Sequence, residues 1–197
     1  MNINSIFTNF IARDQLVLDN DEIIKFCYRQ RLVSTTRKIS NDGGWQSPDL
    51  EKSEQLLPLY KLITERLNSV HSQIGLNDNM CQFITNIWIN INIPGTYNVV
   101  HRHGQSCLSG VYYVQTDIDS GMIEFTNPNP LVEFVIPEKL ISTHNDMNSN
   151  LYSINPNIGD LIIFPSWLSH YTKLNRSKHD RISIAFNSIA VEKSKIK

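Results

Sequence analysis

The chain predicts a mainly β fold, a sandwich or small barrel, with a helical layer packed on one sheet. Two observations carry this. Helical periodicity is confined to residues 19–76, whereas residues 77–191 break into short β-rich runs separated by turn residues. Helices first and strands afterwards suit a β core covered by helices, not alternating βα units. With 197 residues, 41% hydrophobic and 19% charged, the chain suits one domain over 1–197: a supporting, mainly helical region at 1–76 and a core at 77–191.

The elements follow in order. The first residues, "MNINSIFTNFIARDQ", lack the basic segment and apolar run of a secretory leader. "DNDEIIKFCYRQRL" opens on capping Asp/Asn residues and places Ile23, Ile24, Cys27 and Leu32 at helical spacing. "SNDGGWQS" reads as a loop, with Trp45 a candidate lid residue. "SPDLEKSEQLLPLYKLITERLNSVHSQIG" is a longer helical stretch, entered near Pro58 and closed near Gly75. Strands are then expected at Phe83–Ile93, Leu108–Gln115, Met122–Phe125, Leu131–Ile136, Leu151–Ile154, Asp160–Phe164 and Arg181–Ala190.

Bulk properties narrow the function. A net charge of −1 argues against a nucleic-acid partner. Cys27, Cys81 and Cys107 show no CxxC spacing, which suits a reducing compartment, the cytoplasm. The longest apolar run, around "LIIFPSWL", is far shorter than the roughly 20 residues of a membrane span.

Chemistry concentrates in "PGTYNVVHRHGQSCLSGVYYVQT", where His101 and His103 stand two residues apart. On an extended segment such residues share a face, so both imidazoles can reach one transition-metal ion. Of the histidines that could complete the set, His144 and His179 sit in polar segments that read as solvated loops. His170, in "GDLIIFPSWLSHYTKLN" just past a strand, is the better third ligand. Downstream, "RISIAFNSI" puts Arg181, Ser183, Ala185 and Asn187 on one face and Ile182, Ile184 and Phe186 on the other. An arginine opening a half-buried strand requires a buried anion or a local acidic partner.

The order "WININIPG…HRHG…LSGVYYV…SGMIEF…NP…GDLIIFPSWLSHYTKLN…RISIAFN", over roughly Phe83 to Ile189, resembles the non-haem Fe(II)/2-oxoglutarate-dependent oxygenases of the prolyl-hydroxylase-like kind. "SNDGGWQS" is a weaker match. The resemblance implies a double-stranded β-helix (jelly-roll) fold and an Fe(II)- and 2-oxoglutarate-dependent dioxygenase, a hydroxylase yielding succinate and CO₂ from an unidentified small-molecule or protein side-chain substrate. It implies that His101 and His170 ligate the metal. His103 falls where the family usually has a carboxylate, giving a three-histidine site. It further implies that Arg181 pairs with the far carboxylate of 2-oxoglutarate, aided by Ser183 and Tyr113, with Asn90 and Asn92 at positions of polar cosubstrate contacts. Trp88 and Trp167 are candidates for either pocket lining or core, Cys107 for a small buried residue, and Asp160 for turn chemistry.

Two other readings stay open at this point. "GTYNVVHRH" fits G-x5-H-x-H of a three-histidine cupin dioxygenase that does not use 2-oxoglutarate, although no glutamate follows at the expected spacing. A non-catalytic jelly-roll binding module is the other.

Overall fold

A computed structural model describes residues 1–4, 6–51, 53–129 and 135–195. In chain order the elements are β1 (Ala12–Gln15), α1 (Asn20–Val33), β2 (Asn41–Asp42), β3 (Trp45–Gln46), α2 (Leu57–Gln73), β4 (Met80–Asn92), β5 (Tyr97–Asn98), β6 (Leu108–Gln115), β7 (Ile123–Thr126), β8 (Leu151–Ile154), β9 (Asp160–Pro165), β10 (His170–Thr172) and β11 (Arg181–Glu192). The fold is mainly β with an N-terminal helical layer, the double-stranded β-helix architecture. A six-stranded sheet in the order β1-β9-β6-β11-β4-β3 faces a three-stranded sheet, β10-β7-β8, and β2 pairs with β5. All the pairings are antiparallel. No helix among the described residues is long and apolar enough to cross a membrane.

Both helices begin and end for local reasons. Asp19 caps α1 by accepting from the Glu22 N–H, and Pro58 sits in the first turn of α2, where its missing N–H costs nothing. Gly75 follows α2 at φ +74°, the left-handed conformation that glycine adopts freely. Ile23 and Cys27 of α1 are buried, but Leu32 is exposed, so the apolar stripe is shorter than its spacing suggests.

The alternation of the long strands separates two cores. Ile87, Ile89 and Ile91 of β4, Tyr112 and Val114 of β6, Leu161 and Ile163 of β9, and Ile182, Ile184 and Phe186 of β11 face the helices. Val111, Tyr113, Ile162 and Phe164 point the other way, and meet Ile123, Phe125 and Ile154 of the smaller sheet. Gly110 lies where the packing is tightest: a Cβ there would stand 2.3 Å from the Phe186 ring and 2.7 Å from the Ile162 carbonyl oxygen.

The N-terminal region does more than support. It supplies β1 and β3, the two edge strands of the large sheet. "ARDQ" has no apolar alternation because an edge strand against β9 needs only its backbone, so it carries no period-2 signature. Trp45, a candidate lid residue by sequence, is instead buried in the helix-backed core. The expected strand at Leu131–Ile136 falls on positions that include 131–134, outside the described residues.

Candidate metal centre and anion cleft

The histidines gather around the start of β10. His101 and His170 form an isolated antiparallel bridge, each backbone N–H donating to the other's carbonyl at 3.0 and 3.1 Å. The His103 N–H donates to the Ser166 carbonyl at 2.9 Å, which fixes the turn after His101. The three rings converge, with centroids 4.3 Å apart for His101 and His170 and 5.1 Å for the other two pairs. One ligand atom from each lies within 4.8 Å of the others.

Tautomers follow from the neighbours. His101 Nδ1 lies 2.7 Å from the Val99 carbonyl oxygen and His170 Nδ1 2.9 Å from that of Leu168. A carbonyl only accepts, so each Nδ1 carries the proton and each Nε2 keeps its lone pair free, the arrangement a metal ligand needs. Phe164 meets the His170 ring edge-on at 4.6 Å, and Trp88 packs 5.8 Å from His103. Burial lowers the pKa of all three rings, to about 4 for His103 and about 3 for His170, where the neighbouring imidazoles add to the effect. All three are therefore neutral near pH 7, as coordination requires. No Asp or Glu joins the cluster among the described residues, so three neutral nitrogens form the donor set. Imidazole suits divalent iron, so these residues fit that metal.

From the histidines a cavity runs between the sheets to Arg181, lined also by Asn90, Tyr113, Ser183 and Thr172. Arg181 is 1% exposed. Its Nη1 donates to the carbonyls of Ser120 (2.6 Å), Gly121 (2.9 Å) and Lys173 (3.4 Å), and its Nη2 to Thr172 Oγ1 (2.8 Å). It forms no ion pair among the described residues, and burial lowers its pKa from the usual arginine value. Of five guanidinium N–H donors, one on Nε and one on Nη2 find no acceptor among those residues. A buried, uncompensated cation with two free donors beside a cavity is a site for an anion, a carboxylate by geometry. The Tyr113 and Ser183 hydroxyls beside it make no hydrogen bond to a described residue, and burial pushes Tyr113 up to about 12, so it remains a neutral donor.

The expected site residues divide cleanly. His101, His103, His170, Arg181, Ser183, Tyr113 and Asn90 share one cavity. Asn92 does not line it: its side chain packs against Gly44, whose Cβ position lies 3.0 Å from Asn92 Nδ2. Trp88 lines the cavity, whereas Trp167 is exposed and does not. Sequence reasoning missed Thr172, Asn98 and Ser40. Thr172 Oγ1 accepts from both Arg181 Nη2 and the Asn98 N–H at 2.8 Å, and Asn98 Nδ2 donates to Ser40 Oγ at 3.2 Å. Thr172 was discoverable, since it follows His170 by two on the same strand and so shares its face. Ser40 and Asn98 carry no such signal.

A sequence family described as "Putative 2OG-Fe(II) oxygenase" matches residues 86–187. Among solved structures, a prolyl-4-hydroxylase from Pseudomonas putida is similar at 14% identity, over 92% of this chain and 94% of that one, with a TM-score of 0.63. A Trichoplax adhaerens prolyl hydroxylase, solved with a hypoxia inducible factor peptide fragment, is similar at 13% identity, 92% and 84% coverage, and a TM-score of 0.62. HygX from Streptomyces hygroscopicus, solved with nickel and 2-oxoglutarate, is similar at 13% identity, 92% and 83% coverage, and a TM-score of 0.57. At these identities the likeness is one of fold. Among curated proteins no sequence relative is found.

Proposed function

The chain belongs to the 2OG-Fe(II) oxygenase family, and on that premise we propose that it hydroxylates a small molecule or a protein side chain held at the histidine end of its cleft. Membership makes it a dioxygenase, an oxidoreductase that uses Fe(II) and 2-oxoglutarate. In this reading His101, His103 and His170 hold the iron through their Nε2 atoms, and Arg181 binds the far carboxylate of the cosubstrate. Bound iron supplies O₂ activation, with oxidative decarboxylation of 2-oxoglutarate to succinate and CO₂ coupled to oxidation of the substrate.

The observation that carries the reading is the buried guanidinium. Its two free N–H donors match a carboxylate, and the Ser183 and Tyr113 hydroxyls add neutral donors to the same anion. Asn90 lies between this anion site and the histidines. A three-histidine dioxygenase that does not use 2-oxoglutarate would leave Arg181 without a partner. The paired sheets, with Val111, Ile123 and Phe164 against the cleft, limit water around the reacting end. Three free cysteines favour placing the protein in the cytoplasm.

The test is an anaerobic Fe(II) titration with and without 2-oxoglutarate, followed by the visible metal-to-ligand charge-transfer band. Admitting O₂ should then produce succinate slowly even without substrate, and His170→Ala should abolish it. Iron binding with no 2-oxoglutarate-dependent band and no succinate would refute the reading.

A further inference from the structure

The charges of the cleft do not balance. Among the described residues that line it none is acidic, and Arg181 is the only cation. The carboxylate whose charge reaches Tyr113 belongs to Asp160, which is already paired with Arg13. Three imidazoles form the donor set, with no Asp or Glu among the described residues, and a coordinating imidazole is neutral. A divalent ion and one guanidinium thus face a doubly charged cosubstrate, and one positive charge is left over. His103 is the source of the excess, since a carboxylate in its place would cancel it.

Nothing in the walls offsets that charge: Val111, Ile123, Phe164 and Ala185 are apolar, and a net charge among such groups needs a counterion. The histidine end can hold one. Trp88 lines the cavity and packs 5.8 Å from the His103 ring. Its indole N–H has no acceptor among the described residues and, unlike that of Trp45, is not sealed in. Ser40 lines the same cavity, and its carbonyl receives the N–H of Val99, two residues before His101. Ser40 Oγ accepts from Asn98 Nδ2, while its own proton finds no acceptor among the described residues.

We propose that the substrate carries one negative charge, a carboxylate held beside Trp88 and Ser40, and that His103 sets this preference. The proposal rests on the function proposed above, because the metal and the cosubstrate enter the charge balance. An ammonium group would add to the excess, and a neutral group would leave it. A carboxylate cancels it and accepts from the indole N–H and the serine hydroxyl, neutral donors that bring no charge of their own. Low-dielectric walls around the cleft strengthen the selection.

The experiment uses the full ¹⁵N-labelled chain loaded with Zn(II) and saturated with ¹³C-labelled 2-oxoglutarate, whose signals report that it stays bound. The Trp88 indole cross-peak is assigned by its loss in Trp88→Phe. Acetate, acetamide and methylammonium are titrated separately at constant low ionic strength. The expected result is a saturable shift with acetate, roughly ten-fold or more tighter than with acetamide, and none with methylammonium. In His103→Asp, or His103→Glu should the first variant not load Zn(II), acetate should lose its advantage. A fourth probe, the α-amide of N-acetylaspartate, carries the same group on a peptide unit. Tighter binding than acetate assigns the carboxylate to a protein side chain, and weaker binding to a small molecule. Acetamide equal to acetate, no shift with any probe, or an acetate preference that survives in the His103 variant would overturn the proposal. Failure of the function is read separately with Fe(II). A charge-transfer band with 2-oxoglutarate but no acetate preference keeps the oxygenase and loses the anion, whereas no band overturns both.

Discussion

Replacing Arg181 with alanine removes two separable contributions. In the cleft, two free donors, one on Nε and one on Nη2, are lost to the cosubstrate. A hydrogen bond to a charged group contributes about 1.5–3 kcal/mol, and on the function proposed above Ser183 and Tyr113 would still hold the carboxylate, so the net loss should be about 2–4 kcal/mol. That is roughly a 30- to 1,000-fold rise in the 2-oxoglutarate dissociation constant. In the fold, the Ser120 and Gly121 carbonyls lose their donor, at about 1–3 kcal/mol each, partly offset by no longer burying an unneutralised cation. Arg181→Lys separates the two, since an ammonium can keep the charge and reach the carbonyls but lacks the planar fork. It should retain most of the stability and still bind 2-oxoglutarate more weakly than the parent. The assay is anaerobic titration of the Fe(II) protein by its charge-transfer band, beside a urea melt. Iron affinity should not change, because Arg181 touches none of the histidines. A folded Arg181→Ala protein with the parent's affinity for 2-oxoglutarate would remove the main support for the proposed function.

Further outcomes follow from single contacts. Thr172→Val should keep its size but lose the oxygen that receives Arg181 Nη2 and the Asn98 N–H; 2-oxoglutarate affinity should fall about ten-fold, and equal affinity would reduce Thr172 to packing. His103→Ala should sharply lower metal occupancy measured by elemental analysis, whereas His103→Asp should restore it; unchanged iron affinity in His103→Ala would take His103 out of the ligand set. Gly110→Ala should destabilise the fold by about 1–3 kcal/mol through forced overlap with Phe186 and Ile162, read from the urea midpoint. Cys27, fully buried with its thiol pushed up to about 12, should resist a thiol reagent at pH 8, where its thiolate fraction is on the order of 10⁻⁴. The partly buried Cys81 and Cys107 should react first, and early loss of all three thiols would contradict the packing around α1.

The parts of this molecule that could be read from its sequence are those whose physics repeats along the chain. β6 and β9 were legible as short apolar runs buried on both faces, and β4 and β11 as longer runs rich in isoleucine and aromatic residues, all bounded by turn residues. β1, β3 and β5 were not, since edge and two-residue strands are held by backbone bonds that any sequence can make. β10 was hidden for a related reason: three residues cannot display a period. At the site, His101, His103, His170 and Arg181 announce themselves as residue types that need a partner when buried. The carbonyls of Ser120 and Gly121 have no side-chain signature, and Ser40 and Asn98 are lost among the many serines and asparagines of the chain. Asn92 was the converse case, a polar residue at a plausible offset whose place is taken up by the turn at Gly44.

The reciprocal backbone bridge between His101 and His170 bears on the order of events in the life of the protein. An ion gripped by residues roughly 70 positions apart in the chain would ordinarily act as a cross-link, and much of its affinity would be spent closing that loop. Here the two N–H···O=C bonds have closed it already. Folding thus does not wait for the metal. The apoprotein should fold as a finished receptor, and iron would add to its stability only by mass action, as any ligand of the folded state does.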